Sequence, residues 1–448
     1  VSRTLLVGGL GALRDELVVA ALGGAGLDAV VLPPPSDAGL ARARALGNHG
    51  QCNPAQYPVG AVLEAASGAT SLEAFAERHC WVVPSSCGPC RLAAFPLEWR
   101  RVLDGAGLGA LELEFVDQFS FVPALARGAT GRAPGVGLLL ALLAGDGLEA
   151  LGHRLRPWVV APDELDALLA DGAREVARAL RARASPLPAL RDVAAWAWAL
   201  PVRLDRALPR VLLVGEPWTT LTDGDPSYAI ARRLARVGAE VDAPLLVDWL
   251  LALAWQRSGA ALIPDDDRLA ARRAVRSVSA AWALVARALH LPTRRPAPAR
   301  LGALAAPWYP PSIRGGSSFL EVGRALAAAE DRAAHLVVSL KPFGCLPSSA
   351  LSDGVLGPLL ARQADGPAFL ALETSGDSHA SVDSRLELAL HGATLRAWDE
   401  LEAACAERGL SPSAGLDALA RHDASALQGK GRRRRFTCTA AQLLTGSS

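Results

Sequence analysis

The sequence is short of net charge, of long apolar runs, of cysteine and of methionine, and each shortage narrows what the chain can be. Its 46 Lys and Arg against 45 Asp and Glu leave a formal charge of +1 over 448 residues. That balance gives no general affinity for polyanions, so a nucleic-acid partner is not expected. The longest apolar stretches, Val136 to Ala144 and Leu245 to Trp255, fall short of the roughly 20 residues a bilayer requires. No charged-then-apolar segment leads to a small-residue cleavage site near the start. A soluble cytoplasmic protein without membrane contact is the expectation. Seven cysteines, odd in number and scattered, do not make a secreted disulfide framework; they leave metal binding or redox work. Methionine is absent, and Ala, Arg, Gly and Leu abound, a genomic bias from which no function follows.

What is present reads as α/β. Thr4 to Gly8 forms a strand, Ala12 to Gly23 a helix and Ala29 to Leu32 the next strand, one β-α-β unit. Its turn, Gly8-Gly9-Leu10-Gly11, matches neither the dinucleotide fingerprint nor the P-loop, and is read as turn geometry rather than a phosphate cradle. Trp81 to Pro84 and Leu111 to Val116 add strands, so residues 1–125 form an N-terminal α/β domain. Residues 126–205 are helical, with Asp163 to Arg183 strongly amphipathic. A second α/β domain spans 206–400: a strand at Arg210 to Gly215, a helix at Asp225 to Val237, an inserted helical region at about 245–300, and strands at His335 to Leu340 and Ala368 to Glu373. Residues 401–448 hold a C-terminal helix and a basic run, Arg432 to Arg435, read as a solvated tail. The fold class expected is two Rossmann-like, flavodoxin-like parallel-sheet domains with helical insertions.

Three loops, each leading into a helix, carry thiols: Cys52 in Gln51-Cys52-Asn53-Pro54, Cys87 and Cys90 in Ser86-Cys87-Gly88-Pro89-Cys90-Arg91, and Cys345 in Pro342-Phe343-Gly344-Cys345-Leu346-Pro347. Helix-start amides favour the thiolate form that ligates metal. In open α/β sheets, sites lie beyond the carboxyl ends of strands, where Cys87, Cys90 and Cys345 fall. Three or four thiolates converging from loops, with Gly and Pro letting the backbone approach, suit an iron–sulfur cluster. Cys80, on a strand, and Cys405, among small apolar residues, read as packed core thiols. Cys87-Gly88-Pro89-Cys90 also spells the thioredoxin tetrapeptide and leaves a dithiol oxidoreductase as an alternative, although Ser86 stands where a thioredoxin carries Trp. A zinc site on the same thiols lacks its second Cys-x-x-Cys or Cys/His pair.

With these loops assembled, the chain resembles the 2-hydroxyacyl-CoA dehydratase and benzoyl-CoA reductase superfamily, most closely the dehydratase-like C-terminal portion of large activase-related proteins. The matching stretches are Leu32-Pro33-Pro34-Pro35, Asn48-His49-Gly50-Gln51-Cys52-Asn53-Pro54-Ala55, Ser86-Cys87-Gly88-Pro89-Cys90-Arg91, Val214-Gly215-Glu216-Pro217 and Pro342-Phe343-Gly344-Cys345-Leu346-Pro347. The resemblance implies a [4Fe-4S] cluster on Cys52, Cys90 and Cys345 between the two domains, or a double-cubane cluster with more thiolates. Cys87 departs from the family pattern and would supply a fourth ligand. It further implies low-potential electron transfer or a dehydratase- or reductase-like subunit, with acyl-CoA as candidate substrate. The activases' own ATPase module is missing, so a separate BadF-type ATPase activator is the expected partner, alongside a second copy or a related subunit. Lys341, Asn48 and Ser86 are polar neighbours that could tune such a cluster through hydrogen bonds or charge, with ordinary loop polarity the preferred reading for each alone. A scaffold of the same fold that holds no cluster is the remaining alternative.

Overall fold

The computed structural model describes residues 3–85, 90–117, 135–259, 265–313, 318–363, 365–375, 379–428 and 435–446. The first domain runs β1 (Thr4–Val7), α1 (Ala12–Gly24), β2 (Ala29–Val31), α2 (Asp37–Leu46), α3 (Asn53–Ser67), α4 (Leu72–Arg78), β3 (His79–Ser85), α5 (Phe95–Gly105) and β4 (Glu112–Asp117). Its strands are all parallel, in the order β2-β1-β3-β4. Successive strand residues point to opposite faces, so both faces carry apolar side chains. Leu6, Trp81 and Val83 pack on α3 and α5, while Val7 turns toward α1.

Three helices follow: α6 (Gly135–Leu155), α7 (Pro162–Arg181) and α8 (Leu187–Trp198). With α1 they enclose the largest core in the molecule. By length and composition α6 would cross a membrane, yet 67% of its apolar window is buried inside the protein. It also carries Asp146, which is fully buried and accepts a 2.6 Å hydrogen bond from Arg14 on α1. Its apolar character serves internal packing.

The second domain comprises β5 (Arg210–Gly215), α9 (Pro217–Leu221), α10 (Ile230–Arg236), β6 (Glu240–Asp242), α11 (Leu246–Ser258), α12 (Asp265–Ala288), α13 (Pro298–Ala305), α14 (Phe319–Glu330), β7 (Leu336–Pro342), α15 (Gly354–Ala361) and β8 (Ala368–Thr374). Its parallel sheet runs β6-β5-β7-β8, the same winding as the first. Every residue of β7 is buried, Ser339 and Lys341 included, which explains the apolar run Leu336 to Val338 with which it opens. The chain closes with α16 (His379–Glu407), α17 (Pro412–Leu419) and α18 (Thr439–Thr445). The protein is therefore α/β, with two Rossmann-like parallel-sheet domains.

Three local readings change. The helix expected over Asp225 to Val237 is split: a 3₁₀ turn at Asp225–Ser227 is followed by Tyr228 and Ala229 at φ 50° and 48°, and α10 starts only at Ile230. That turn reaches the first domain, where the Asp225 carboxylate accepts from the Asp37 amide at 2.7 Å. The boundary drawn at residue 400 falls inside α16, a single helix from His379 to Glu407. The helix expected from Ala350 opens instead as a π-helical segment, Leu346–Asp353, directly after Cys345. Most of the basic run, residues 432–434, lies outside the described residues.

Candidate functional site

Both sheets reverse their winding between the first-entered strand and the third, and the loops that leave those four strands face one another. A cavity of about 430 Å³ is lined by Gly8 and Gly9 after β1, Ser85 at the end of β3 and Cys90 after it, Glu216 after β5, and Gly344 and Cys345 after β7; Cys52 completes it from the turn into α3. A switch point is where strands diverge and leave a crevice. Here two such crevices share one space.

Each thiol is placed by the same local device. Cys52, Cys90 and Cys345 are each the extended residue immediately before a helical turn, at φ/ψ of −73/156°, −69/135° and −71/104°. Pro54 and Pro347 occupy the first turn after two of them, where a missing N–H costs nothing. Gly344 turns at φ 77°, and a Cβ built on it would lie 3.9 Å from both the Cβ of Cys52 and Nη1 of Arg91, so the Cys345 loop lies against the Cys52 loop. Arg91 in turn donates from Nη1 to the Gly50 carbonyl at 2.7 Å, tying the Cys90 loop to the same place. Asn53, next to Cys52, donates from Nδ2 to the Thr374 carbonyl at 2.5 Å and so joins the two domains.

The electrostatics differ from those expected of exposed helix-start thiols. Burial pushes the Cys52 thiol up to about 12, with Glu216 and Cys90 adding to the shift. Cys345 and Cys90 move the same way, again through burial first and Glu216 among the later causes. Desolvation outweighs the helix-start amides, because the thiolate is the form that loses hydration. A nucleophilic dithiol needs the opposite shift. Cys87, its proposed partner, and Ser86 lie outside the described residues.

Among the described residues, no group of three or more His, Cys, Asp or Glu side chains is arranged to hold one metal ion. A cluster distributes its thiolates over separate irons and does not ask them to meet at one point. The donor set fits that requirement: three thiols from separate loops at one cavity, whose deprotonation bound cationic iron would drive. Cys80 belongs to the opposite end of β3, five residues or about 16 Å from Ser85 at strand spacing. Cys405 and Cys438 are buried together in the C-terminal core.

No family model and no curated protein matches the chain.

Two of the polar neighbours weighed as tuning residues are otherwise engaged. Asn48 is exposed, and its side chain accepts from the Gly50 amide at 2.9 Å while its carbonyl accepts from Gln56 at 2.7 Å. Lys341, one of only two lysines in the sequence, is buried and ion-paired with Asp353. Burial lowers it to about 8 against the opposing pull of Glu321, Glu373 and Cys345. The Gly9 and Leu10 amides donate to Asp15 at 3.0 and 3.1 Å, so the glycine turn is bound to a carboxylate of the chain itself.

Glu216 is the residue that sequence reasoning left without a role. Its oxygens accept from the Trp218 amide at 3.0 Å, the Thr219 amide at 2.7 Å and the Thr219 hydroxyl at 2.8 Å, capping α9. Gly215 before it holds φ 133° where any Cβ would lie 1.8 Å from the Leu340 carbonyl oxygen. The signal was the sequence Gly215-Glu216-Pro217 at a strand end: a positive-φ position, a capping acid, then a proline suited to a first helical turn.

Proposed function

We propose that the chain is an iron–sulfur protein akin to the 2-hydroxyacyl-CoA dehydratase superfamily, holding a [4Fe-4S] cluster on Cys52, Cys90 and Cys345. In this reading it serves low-potential electron transfer, or acts as a dehydratase- or reductase-like subunit. One observation carries it: thiols from three loops of two domains line a single cavity at two facing switch points. Cys87 is the candidate fourth ligand. The described residues bring no further thiol to the cavity, which favours a single cluster over a double-cubane one.

Bound there, a cluster supplies one-electron chemistry and, with three thiolates, one iron open to an oxygen ligand. The chain's own residues contribute placement. Gly344 lets two ligand loops touch, Arg91 and Asn53 hold them together, and the apolar surroundings restrict water. An acyl-CoA substrate, a separate BadF-type ATPase, pairing with a second or related subunit, and a cytoplasmic location belong to the same proposal.

Anaerobic purification with iron and acid-labile sulfide assays tests it. About four irons and four sulfides per chain are expected for such a cluster. Cys345→Ser should lose most of the iron, while Cys405→Ser, altered in the distant C-terminal core, should keep it. Protein without sulfide, or iron that is indifferent to Cys345→Ser, overturns the reading.

A further inference from the structure

We propose that the outward face of α16 is the contact through which two copies of this chain pair, the two helices crossing antiparallel about a two-fold axis at Gly392. Helix α16 carries apolar residues on two opposite sides. Inward, Val382, Leu386 and Ala393 join the core of the second domain, and Ala397, Leu401 and Ala404 join the C-terminal core. That stripe accounts for its packing within the chain, and the other side of such a helix is ordinarily polar. Here it presents Leu388, Leu395 and Trp398 at 76%, 52% and 38% exposure. The two leucines are seven residues apart and share one face, with Trp398 at its edge. Gly392 stands between the leucines, where an added Cβ would meet nothing within 4 Å. It also lies about 20 Å from either end of the helix, so the middle of the face is clear of both.

An apolar stripe alone would suit many partners; the charges beside it select a second copy. Arg385 and Asp399 lie on the same face, each seven residues from Gly392 and on opposite sides of it. Neither has an ion-pair partner among the described residues. Arg385 donates to the Ala371 carbonyl at 2.7 Å, which leaves its charge and its other donors free, and Asp399 is exposed. A two-fold axis exchanges residues equidistant from it, so Arg385 of each copy faces Asp399 of the other and Leu388 packs on Leu395. Parallel pairing would set like charges together at both ends, which is unfavourable. At the crossing itself, a residue without a side chain lets the two backbones approach. One helix pair of this length buries less than the roughly 800 Å² per partner of a standard interface, so the dimer should be weak, with a dissociation constant on the order of 10 µM. The inference supplies a face for the pairing that accompanies the cluster reading, yet it rests on α16 alone, so the two can fail separately.

Sedimentation velocity of the purified full chain, under anaerobic conditions and at about 1 to 200 µM, should show a monomer in equilibrium with a dimer. Leu388→Glu with Leu395→Glu alters exposed positions only. It should weaken the dimer at least about tenfold while urea unfolding of the monomer stays where it was. Asp399→Arg brings like charges together across the axis and should weaken the dimer about fivefold or more; adding Arg385→Asp restores opposite charges and should return it to within about threefold of the unaltered chain. That rescue is specific to the antiparallel two-fold contact, since a merely structural role for either residue would not be restored by exchanging the two. Gly392→Cys should give a disulfide-linked dimer on mild oxidation in higher yield than the unaltered chain, because the axis brings identical residues together. A chain that stays monomeric at about 200 µM, a dimer indifferent to the leucine pair, or a charge reversal without rescue overturns the inference. A dimer without iron upholds it and defeats the cluster reading; iron in a chain that stays monomeric defeats it alone.

Discussion

Asp15 lies beneath the Gly8 to Leu10 turn, 5% exposed, and its carboxylate accepts from two backbone amides of that turn. Burial raises it to about 7 despite those bonds, because losing hydration costs the charged form more than two amide donors return. The stability this confers is complete below the ordinary value of 3.8 and is lost as pH rises to about 7. Asp15→Asn cannot ionise and keeps one acceptor oxygen. Urea titrations at successive pH values should therefore show the unaltered chain losing stability relative to Asp15→Asn between these limits, by roughly 4 kcal/mol at most. Glycine substitutions separate in the same way, by what surrounds them. At Gly344 a Cβ meets nothing nearer than 3.9 Å, so Gly344→Ala should cost only the left-handed conformation, about 1–2 kcal/mol in urea unfolding. At Gly215 the Leu340 carbonyl blocks the Cβ outright, and Gly215→Ala should cost more than about 3 kcal/mol.

Among the elements, α6 is held by a charge rather than by its apolar face alone. Asp146 pairs with Arg14 on α1 and accepts from the Leu246 and Val247 amides at 3.1 and 2.7 Å, so one carboxylate joins α1, α6 and the start of α11. The exposed amides and dipole of a helix N-terminus welcome negative charge. Asp146→Ala would leave Arg14, 3% exposed, without its partner, at an expected cost of about 3–5 kcal/mol in denaturant unfolding. Most elements were legible beforehand, since buried parallel strands write themselves as apolar runs ending in Gly, Pro or Ser. The break at Tyr228 and Ala229 was not. Asp225 and Tyr228 bond to Asp37 and Ser375, residues far off in sequence, and those bonds override a helical pattern.

Across the whole molecule, the three thiols share a cavity only while the two domains remain docked. Trp218 of the second domain stands over Gly9 of the first, where a Cβ would come within 3.0 Å of Nε1, and its ring lies 6.3 Å from that of Tyr57. Asp223 accepts from the Ala12 amide at 2.6 Å, and Asn53 donates to Thr374. Asn53→Ala removes the tie nearest Cys52. It should cost about 1–2 kcal/mol, the worth of a buried hydrogen bond and its stranded acceptor, and should speed iron loss to a chelator by several-fold, measured by absorbance. If iron is retained as tightly as before, docking does not govern the site.

The sequence by itself determined, to within a residue or two, where strands end, which loops carry thiols, and that two α/β units follow one another, because each of these is written in neighbouring residues. Only tertiary structure decided that the loops of both windings face one cavity, that Asp15 and Glu216 are spent on backbone amides, and that the thiols are desolvated rather than activated. Proximity between distant segments and loss of water are produced by packing, and no local stretch of chain encodes either one.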